Sequence, residues 1–127
     1  IATKTPVHGE GRTANVPVAI SIYQPVAGGR NELFLEIHPE TAKKRGIRNG
    51  DRVKISNELG AIHARAHIFP AQRPDTVVLP YGFGHFAHGR WASSRKSGNV
   101  NEILPNVSEP VSNAALVHAV TVRVEKA

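Results

Sequence analysis

Residues 33–68 read LFLEIHPETAKKRGIRNGDRVKISNELGAIHARAHI, and this segment carries the strongest structural signals in the chain. It opens on an apolar run, residues 33–37, that predicts a buried strand. Pro39 stands at the first position of the helix that follows, where the N–H that proline lacks would have no partner. The helix is expected to end at Gly46, which can adopt the left-handed conformation. Alternating apolar residues at 53–55 and 61–68 then predict a β-hairpin.

The sequence on either side adds strands and one long loop. Short apolar runs predict strands at residues 18–23, 76–79 and 119–124, and residues 1–4 have the pattern of a strand end. Residues 81–113 contain many Gly, Ser, Asn and Pro residues without periodicity, which predicts a loop with one helical turn. Loops of that length in a compact domain are usually functional. We therefore expect residues 1–127 to form a single, mainly β domain, a six-stranded barrel with one or two short helices and a long loop.

Composition excludes several kinds of site. The 127 residues include no cysteine, so this chain can form neither a thiolate zinc site nor a cysteine-ligated iron–sulfur cluster.

Lys and Arg number 16 against 10 Asp and Glu, and the net charge of +6 predicts an anionic partner. Residues 76–101 contain no acidic residue, which is typical of either a solvated basic loop or a loop that contacts phosphate. Aromatic residues are only 6% and are not interleaved with basic ones, so nucleic acid is not an expected partner. No apolar run reaches the roughly 18 residues of a membrane span, and no membrane contact is expected.

The motifs do not specify a reaction. Residues 82–87 fit G-x-G-x-x-A after a strand, but no amphipathic helix follows, and this argues against a dinucleotide-binding βαβ unit. Paired glycines still allow a backbone to approach a ligand closely. His63 and His67 share one strand face about 13 Å apart, which is too far for one metal ion. Their row with Arg65 is predicted to be a solvated strand face. No catalytic residue and no metal ligand are therefore predicted.

The order of these features resembles the C-terminal molybdopterin-dinucleotide-binding domain of the dimethyl sulfoxide reductase family of molybdenum and tungsten oxidoreductases. The pattern of that family, hP-x-x-A-x-x-x-G-I-x-x-G-D-x-V followed by a turn with Gly, is met at Ile37, Pro39, Ala42, Gly46, Ile47, Gly50, Asp51, Val53 and Gly60. The flanks are also similar: residues 11–15 match an S-R-T-x-N loop with Gly11 in place of Ser, and residues 98–103 match G-x-x-N-x-L with Ile103 in place of Leu. The resemblance covers nearly the whole chain in order.

The resemblance implies a double-psi β-barrel that binds molybdopterin guanine dinucleotide, with the molybdenum or tungsten held elsewhere in the parent enzyme. The cofactor-binding residues that it implies are Lys4, His8, Arg12, Thr13, Asn15, Tyr81, Gly82, Phe83, Gly84, His85, Asn99 and Asn101. Lys and Arg would neutralise pyrophosphate, and Asn would pair with the donor and acceptor edge of a pterin or guanine. A purely structural role stays open for each residue taken singly.

The resemblance further implies that the chain is the C-terminal part of a larger catalytic subunit and is not catalytic alone. Its partners would be the other domains of that subunit and an iron–sulfur electron-transfer subunit. The long loop resembles the branch that acts on sulfur or arsenic compounds, whose members are often exported, so the periplasm is favoured and the cytoplasm stays open. Two alternatives remain: a double-psi barrel that serves as an interaction module, and a scaffold of molybdoenzyme descent without cofactor.

Overall fold

The computed structural model describes residues 1–3, 32–84, 98–115, 117–118 and 120–127. In chain order the elements are β1 Ala2–Thr3, β2 Phe34–Ile37, α1 Pro39–Lys44, β3 Arg52–Ser56, β4 Ala61–Ile68, β5 Val77–Pro80, a 3₁₀ helix Val100–Ile103, and β6 Arg123–Lys126. The prediction of a mainly β chain with few helices is confirmed.

Helix α1 is short because its sequence caps it at both ends. The Nδ1 atom of His38 accepts a hydrogen bond from the N–H of Glu40 at 3.2 Å, and Pro39 occupies the first helical position. At the other end Gly46 adopts a φ of 65°, as predicted. The N–H of Ile47 then donates to the carbonyl of Ala42 at 2.9 Å, and the N–H of Gly46 donates to Lys43 at 3.2 Å. This pair of bonds is a Schellman motif, and it directs the buried Ile47 side chain back into the core.

The G-D pair of the family pattern has a structural role here. Gly50 has a φ of 82°, and its N–H donates to the carbonyl of Ala66 at 2.7 Å. The N–H of Ala66 donates in turn to the Asp51 carbonyl at 2.8 Å, so the turn is attached to the middle of β4. The Asp51 carboxylate accepts from the N–H of Arg48 at 2.9 Å and pairs with Lys126 of β6 at 2.9 Å. The bond from Lys126 and then that from Arg48 lower the pKa of Asp51.

The strands are ordered β1-β5-β2-β4-β3-β6 in one sheet. Strands β3 and β4 pair antiparallel as the predicted hairpin, whereas β2 pairs with β4 and β1 with β5 in parallel. The connection between the parallel strands β2 and β4 contains α1 and β3, since parallel neighbours need a crossover. Strands β1 and β6 form the two edges and are not paired with each other in the described residues. The sheet is thus not a closed barrel there, and the strand predicted at 18–23 lies outside the described residues. The six-stranded double-psi barrel therefore stays a prediction.

One face of the sheet builds the hydrophobic core. Apolar residues alternate along β3 and β4 as the sequence predicts, β2 belongs to the predicted continuous apolar run, and the fully buried members include Leu35, Ile37, Val53 and Ile55. Ala42 of α1 and Ile103 of the 3₁₀ helix belong to the same cluster. The core thus connects the segment from β2 to β4 with the 3₁₀ helix at residues 100–103, which lies much later in the sequence.

The opposite face of β4 is not the solvated row that the sequence suggests. Arg65 is half-buried and pairs with Glu32 at 2.9 Å. The ring of His67 meets Phe34 edge to face at a centroid distance of 5.9 Å and stacks on Phe69 at 6.0 Å. The prediction was wrong because β2 lies parallel beside β4 and brings Phe34 and Glu36 onto the same face.

The last strand is also shifted. The sequence predicts it at residues 119–124, but β6 spans Arg123–Lys126. The apolar pattern is misleading because Val122 packs partly against the core from outside the sheet. The predicted helical turn within residues 81–113 is confirmed by the 3₁₀ helix Val100–Ile103, and residues 85–97 of that loop lie outside the described residues.

Candidate functional site

The predicted cofactor-binding residues fall into a described half and an undescribed half. Lys4, His8, Arg12, Thr13, Asn15 and His85 lie outside the described residues. Tyr81, Gly82, Phe83 and Gly84 form one described segment, which we call the glycine loop (residues 81–84). Asn99 and Asn101 belong to a second segment, which we call the asparagine turn (residues 98–101). The geometry of the candidate site rests on these two segments.

The glycine loop leaves the sheet directly after β5. Gly82 and Gly84 have φ angles of 89° and 78°, which favour glycine because a Cβ is strained in this region. Between them Phe83 is 7% exposed and belongs to the hydrophobic core, and Tyr81 packs partly against the same cluster. The loop is thus anchored to the core by the buried ring of Phe83.

The asparagine turn starts the 3₁₀ helix. The Oδ1 atom of Asn99 accepts from the N–H of Asn101 at 3.1 Å, and the Asn99 carbonyl accepts from Glu102 at 3.0 Å. Val100 and Ile103 point into the core at 3% and 2% exposure, whereas Asn101 is exposed. The hydrogen bond that caps the 3₁₀ helix uses only the Oδ1 atom of the Asn99 side-chain amide. The turn therefore presents amide groups on its outer side while its apolar residues hold it to the sheet.

The two segments are in direct backbone contact. A Cβ atom added to Gly84 would lie 2.6 Å from the nitrogen of Asn99 and 2.7 Å from the carbonyl carbon of Gly98. Gly98 approaches β4 as closely, because its added Cβ would lie 2.7 Å from the Cβ of Ile62. The N–H of Gly98 also donates to the carbonyl of His63 at 3.1 Å. The structure thus brings together the two described parts of the predicted site, and glycine is what permits it.

The third predicted part begins at the same end of the sheet. Strands β1 and β5 are parallel, and Thr3 lies opposite Pro80. The chain therefore leaves β1 beside the point where the glycine loop leaves β5. The basic residues predicted for this part follow Thr3 in the sequence but lie outside the described residues.

The turn between β3 and β4 supports the asparagine turn, a contact that the sequence does not predict. Asn57, in the connection between β3 and β4, donates through Nδ2 to the carbonyl of Ile103 at 2.8 Å. A Cβ on Gly60 would lie 2.9 Å from the carbonyl oxygen of Glu102. The N-x-x-G spacing marks a turn in the sequence, but nothing in it shows what the turn contacts. Gly98 was part of the family pattern and was likewise not predicted as a site residue.

Two open clefts lie elsewhere in the described part of the chain. One of about 490 Å³ is bordered by Arg45 of α1, by Asp75 and by His118. The hydroxyl of Thr76 and the guanidinium of Arg73 lower the pKa of Asp75 there. The other, of about 540 Å³, lies between the β3–β4 turn and residues 120–123. The glycine loop and the asparagine turn line neither cleft, so these concave surfaces do not coincide with the predicted site.

Two further kinds of feature are absent from the described residues. No group of three or more His, Asp or Glu side chains among them is arranged to hold a metal ion. No helix in the described ranges is long and apolar enough to cross a membrane.

Comparisons with known proteins identify the family of this chain. Residues 10–121 match the family model described as "Molydopterin dinucleotide binding domain". The molybdopterin-containing subunit of an arsenate respiratory reductase from Shewanella sp. is 32% identical over 97% of this chain and 15% of its own length. The corresponding subunit of a thiosulfate reductase from Salmonella typhimurium is also 32% identical, over 100% of this chain and 16% of its own length.

The fold has a solved counterpart. Acetylene hydratase from Pelobacter acetylenicus superposes with a TM-score of 0.62 at 18% identity, over 83% of this chain and 16% of that one. The chain thus spans about one sixth of the length of these relatives. The family model covers far more than half of the chain, and the resemblance read from the sequence is confirmed. The chain belongs to the molybdopterin dinucleotide-binding domain family, as found in the molybdopterin subunits of the dimethyl sulfoxide reductase family.

Proposed function

We propose that this chain binds molybdopterin guanine dinucleotide as the C-terminal domain of a molybdenum or tungsten oxidoreductase. The backbone contact between Gly84 and Asn99 supports this most directly. It joins the two described segments that the family resemblance implicates, although they are remote in the sequence. We propose a six-stranded double-psi barrel as the architecture of the whole chain.

The residues present fit such a cofactor. Amide side chains at Asn99 and Asn101 carry both donors and acceptors, which suit the edge of a pterin or guanine. The positive φ angles of Gly82 and Gly84 allow the backbone to approach a flat ring closely. When bound, the cofactor supplies redox chemistry at its metal. The residues of this chain bind and orient it, and none of them is proposed to be catalytic.

The rest of the parent enzyme follows from the relatives by analogy. Their names describe them as arsenate and thiosulfate reductases, so we propose that the parent reduces an arsenic or sulfur compound. The protein ligand of the metal would belong to other domains, and an iron–sulfur subunit would deliver the electrons. These domains and this subunit would be the partners of the chain.

The test measures cofactor in the protein as its gene encodes it, purified without oxygen. Guanine nucleotide released by acid hydrolysis, pterin fluorescence after oxidation, and molybdenum and tungsten are quantified per polypeptide. The proposal predicts stoichiometric guanine nucleotide together with metal. Protein that is folded and contains neither would refute it and would favour the scaffold or interaction module.

A single variant tests the site itself. Asn101→Ala removes an exposed amide that the proposal assigns to the cofactor, and the loss of about one hydrogen bond, about 1 kcal/mol, should weaken retention roughly fivefold. Asn106→Ala is the matched control, because Asn106 is also exposed and lies beyond the asparagine turn. Equal retention in the two variants would exclude Asn101 from the site.

A further inference from the structure

We infer that Asn57, in the turn between β3 and β4, is a positioning residue that holds the asparagine turn in the place where it meets the cofactor. The inference rests on the proposed function and extends it to a residue that neither the family pattern nor the sequence implicates. Asn57 lies in a different part of the chain from both described segments of the site. Its role would be exerted through the backbone of Ile103 and not by contact with the cofactor.

Both the oxygen and the nitrogen of the half-buried Asn57 side-chain amide form hydrogen bonds. Its Oδ1 atom accepts from the N–H of Leu59 at 3.0 Å and from the N–H of Gly60 at 3.2 Å, which closes the turn. Its Nδ2 atom donates to the carbonyl of Ile103 at 2.8 Å. The last carbonyls of a helix have no partner within the helix, so this bond fills a vacancy that the 3₁₀ helix cannot fill itself. One side chain therefore shapes a turn and attaches a second segment to it.

The asparagine turn and its helix are consequently fixed at both ends. At the start, the N–H of Gly98 donates to His63 of β4, and the glycine backbone lies against Ile62. At the end, Asn57 holds Ile103, and the close approach of Gly60 to Glu102 requires the absence of a side chain. The asparagines of the proposed site lie between these two attachments. Their positions are thus set before a ligand arrives.

Fixing a binding segment in advance lowers the ordering cost of association. Without the hydrogen bond from Asn57 to Ile103, the turn between β3 and β4 would remain closed. The 3₁₀ helix would then be held only by its apolar contacts and by the hydrogen bond from Gly98 to His63. The loss of one hydrogen bond to a half-buried carbonyl should then raise the rate of nucleotide loss about three- to tenfold.

Asn57→Asp separates the two functions of the side chain. The carboxylate can still accept from Leu59 and Gly60, but it presents an oxygen to the Ile103 carbonyl in place of an N–H. Asn49→Asp is the matched control, because the Oδ1 atom of Asn49 accepts from the N–H of Ile68 at 2.9 Å, and a carboxylate can accept that bond too. Both variants add one negative charge, so an effect of the net charge of the protein would appear in both.

The experiment uses the protein as its gene encodes it, loaded with its cofactor, and follows release of guanine nucleotide at about pH 8. We expect release to be about three- to tenfold faster in Asn57→Asp and unchanged in Asn49→Asp. On acidification the introduced carboxyl group takes up a proton and can donate to Ile103 again. Release from Asn57→Asp should therefore approach that of the unaltered protein only as the pH falls below about 4, the ordinary range of an aspartate carboxyl. Hydrogen exchange should be faster at Glu102 in Asn57→Asp at pH 8, whereas Gly98, which is bonded to His63, should be unchanged.

The outcomes separate this inference from the function on which it rests. If the unaltered protein contains nucleotide and Asn57→Asp retains it equally well, Asn57 is not a positioning residue, and the proposed function stands. Equal acceleration in Asn49→Asp would attribute the effect to charge and would also overturn the inference. Protein without any nucleotide would refute the proposed function, and this inference with it.

Discussion

Replacing Gly84 by alanine should destabilise the protein more than the same replacement at Gly50. The two glycines have nearly the same φ angle, 78° at Gly84 and 82° at Gly50. An alanine in this left-handed region costs roughly 1–2 kcal/mol at either position. The surroundings differ, because a Cβ on Gly50 would meet no atom within 4 Å, whereas one on Gly84 would lie 2.6 Å from the nitrogen of Asn99.

The additional cost at Gly84 follows from what the new methyl group would meet. All three of its nearest atoms belong to the backbone of Gly98 and Asn99, so no side-chain rotation can relieve the overlap. The glycine loop and the asparagine turn would have to separate, and overpacking of this kind typically costs about 1–3 kcal/mol. The total is about 2–5 kcal/mol for Gly84→Ala against about 1–2 kcal/mol for Gly50→Ala.

The measurement is hydrogen–deuterium exchange of the β4 amides in rising urea, which reports on this domain whatever the length of the protein. Gly46→Ala supplies a second control, since its φ is 65° and a Cβ there would meet nothing within 4 Å. If Gly84→Ala and Gly50→Ala lower the free energy of unfolding by amounts within about 0.5 kcal/mol of each other, the two segments are not in contact. The geometry on which the proposed site rests would then be wrong.

Two further predictions concern the fold. The pKa of Asp51 is lowered chiefly by the bond from Lys126, so its contribution to stability is complete above the ordinary value of 3.8 and is lost as the pH falls through the lowered value. Asp51→Asn should therefore lose less stability than the unaltered protein between about pH 5 and about pH 2, measured by the unfolding midpoint, and an unchanged pH profile would contradict this. Ile55→Ala should cost about 2–5 kcal/mol because the side chain is fully buried, whereas Val111→Ala, at 93% exposure, should stay within about 0.5 kcal/mol in the same urea titration. Similar losses in these two variants would refute the assignment of the core.

The segment from β2 to β4 could be predicted because its signals are local. Proline at the first helical position and glycine at the stop define α1 within a few residues. The hairpin follows from alternation on both sides of a short turn. Each of these features depends on residues that are close in the sequence, so it can be recognised from one sequence alone.

Features that depend on distant neighbours were missed. The parallel pairing of β2 with β4 brings Phe34 beside His67, and the sequence contains no sign that these two residues share a face. The apolar residues before β6 continue the strand pattern, but Val122 packs on the core without joining the sheet. In both cases the sequence pattern does not show which distant part of the fold a residue packs against.

The residues of the candidate site also differ in whether the sequence alone predicts them. The family resemblance implies Asn99 and Asn101 as cofactor-binding residues, because a ligand would constrain residue type at fixed positions of a motif. The supports, Gly98 and Asn57, act through backbone atoms: a glycine allows close approach to β4, and an amide reaches the carbonyl of Ile103. A backbone carbonyl accepts a hydrogen bond whatever its side chain is, so the position of Ile103 carries no mark of the contact. Of the two supports, Gly98 belongs to the family motif, whereas Asn57 lies outside it and emerges as a support only from the fold.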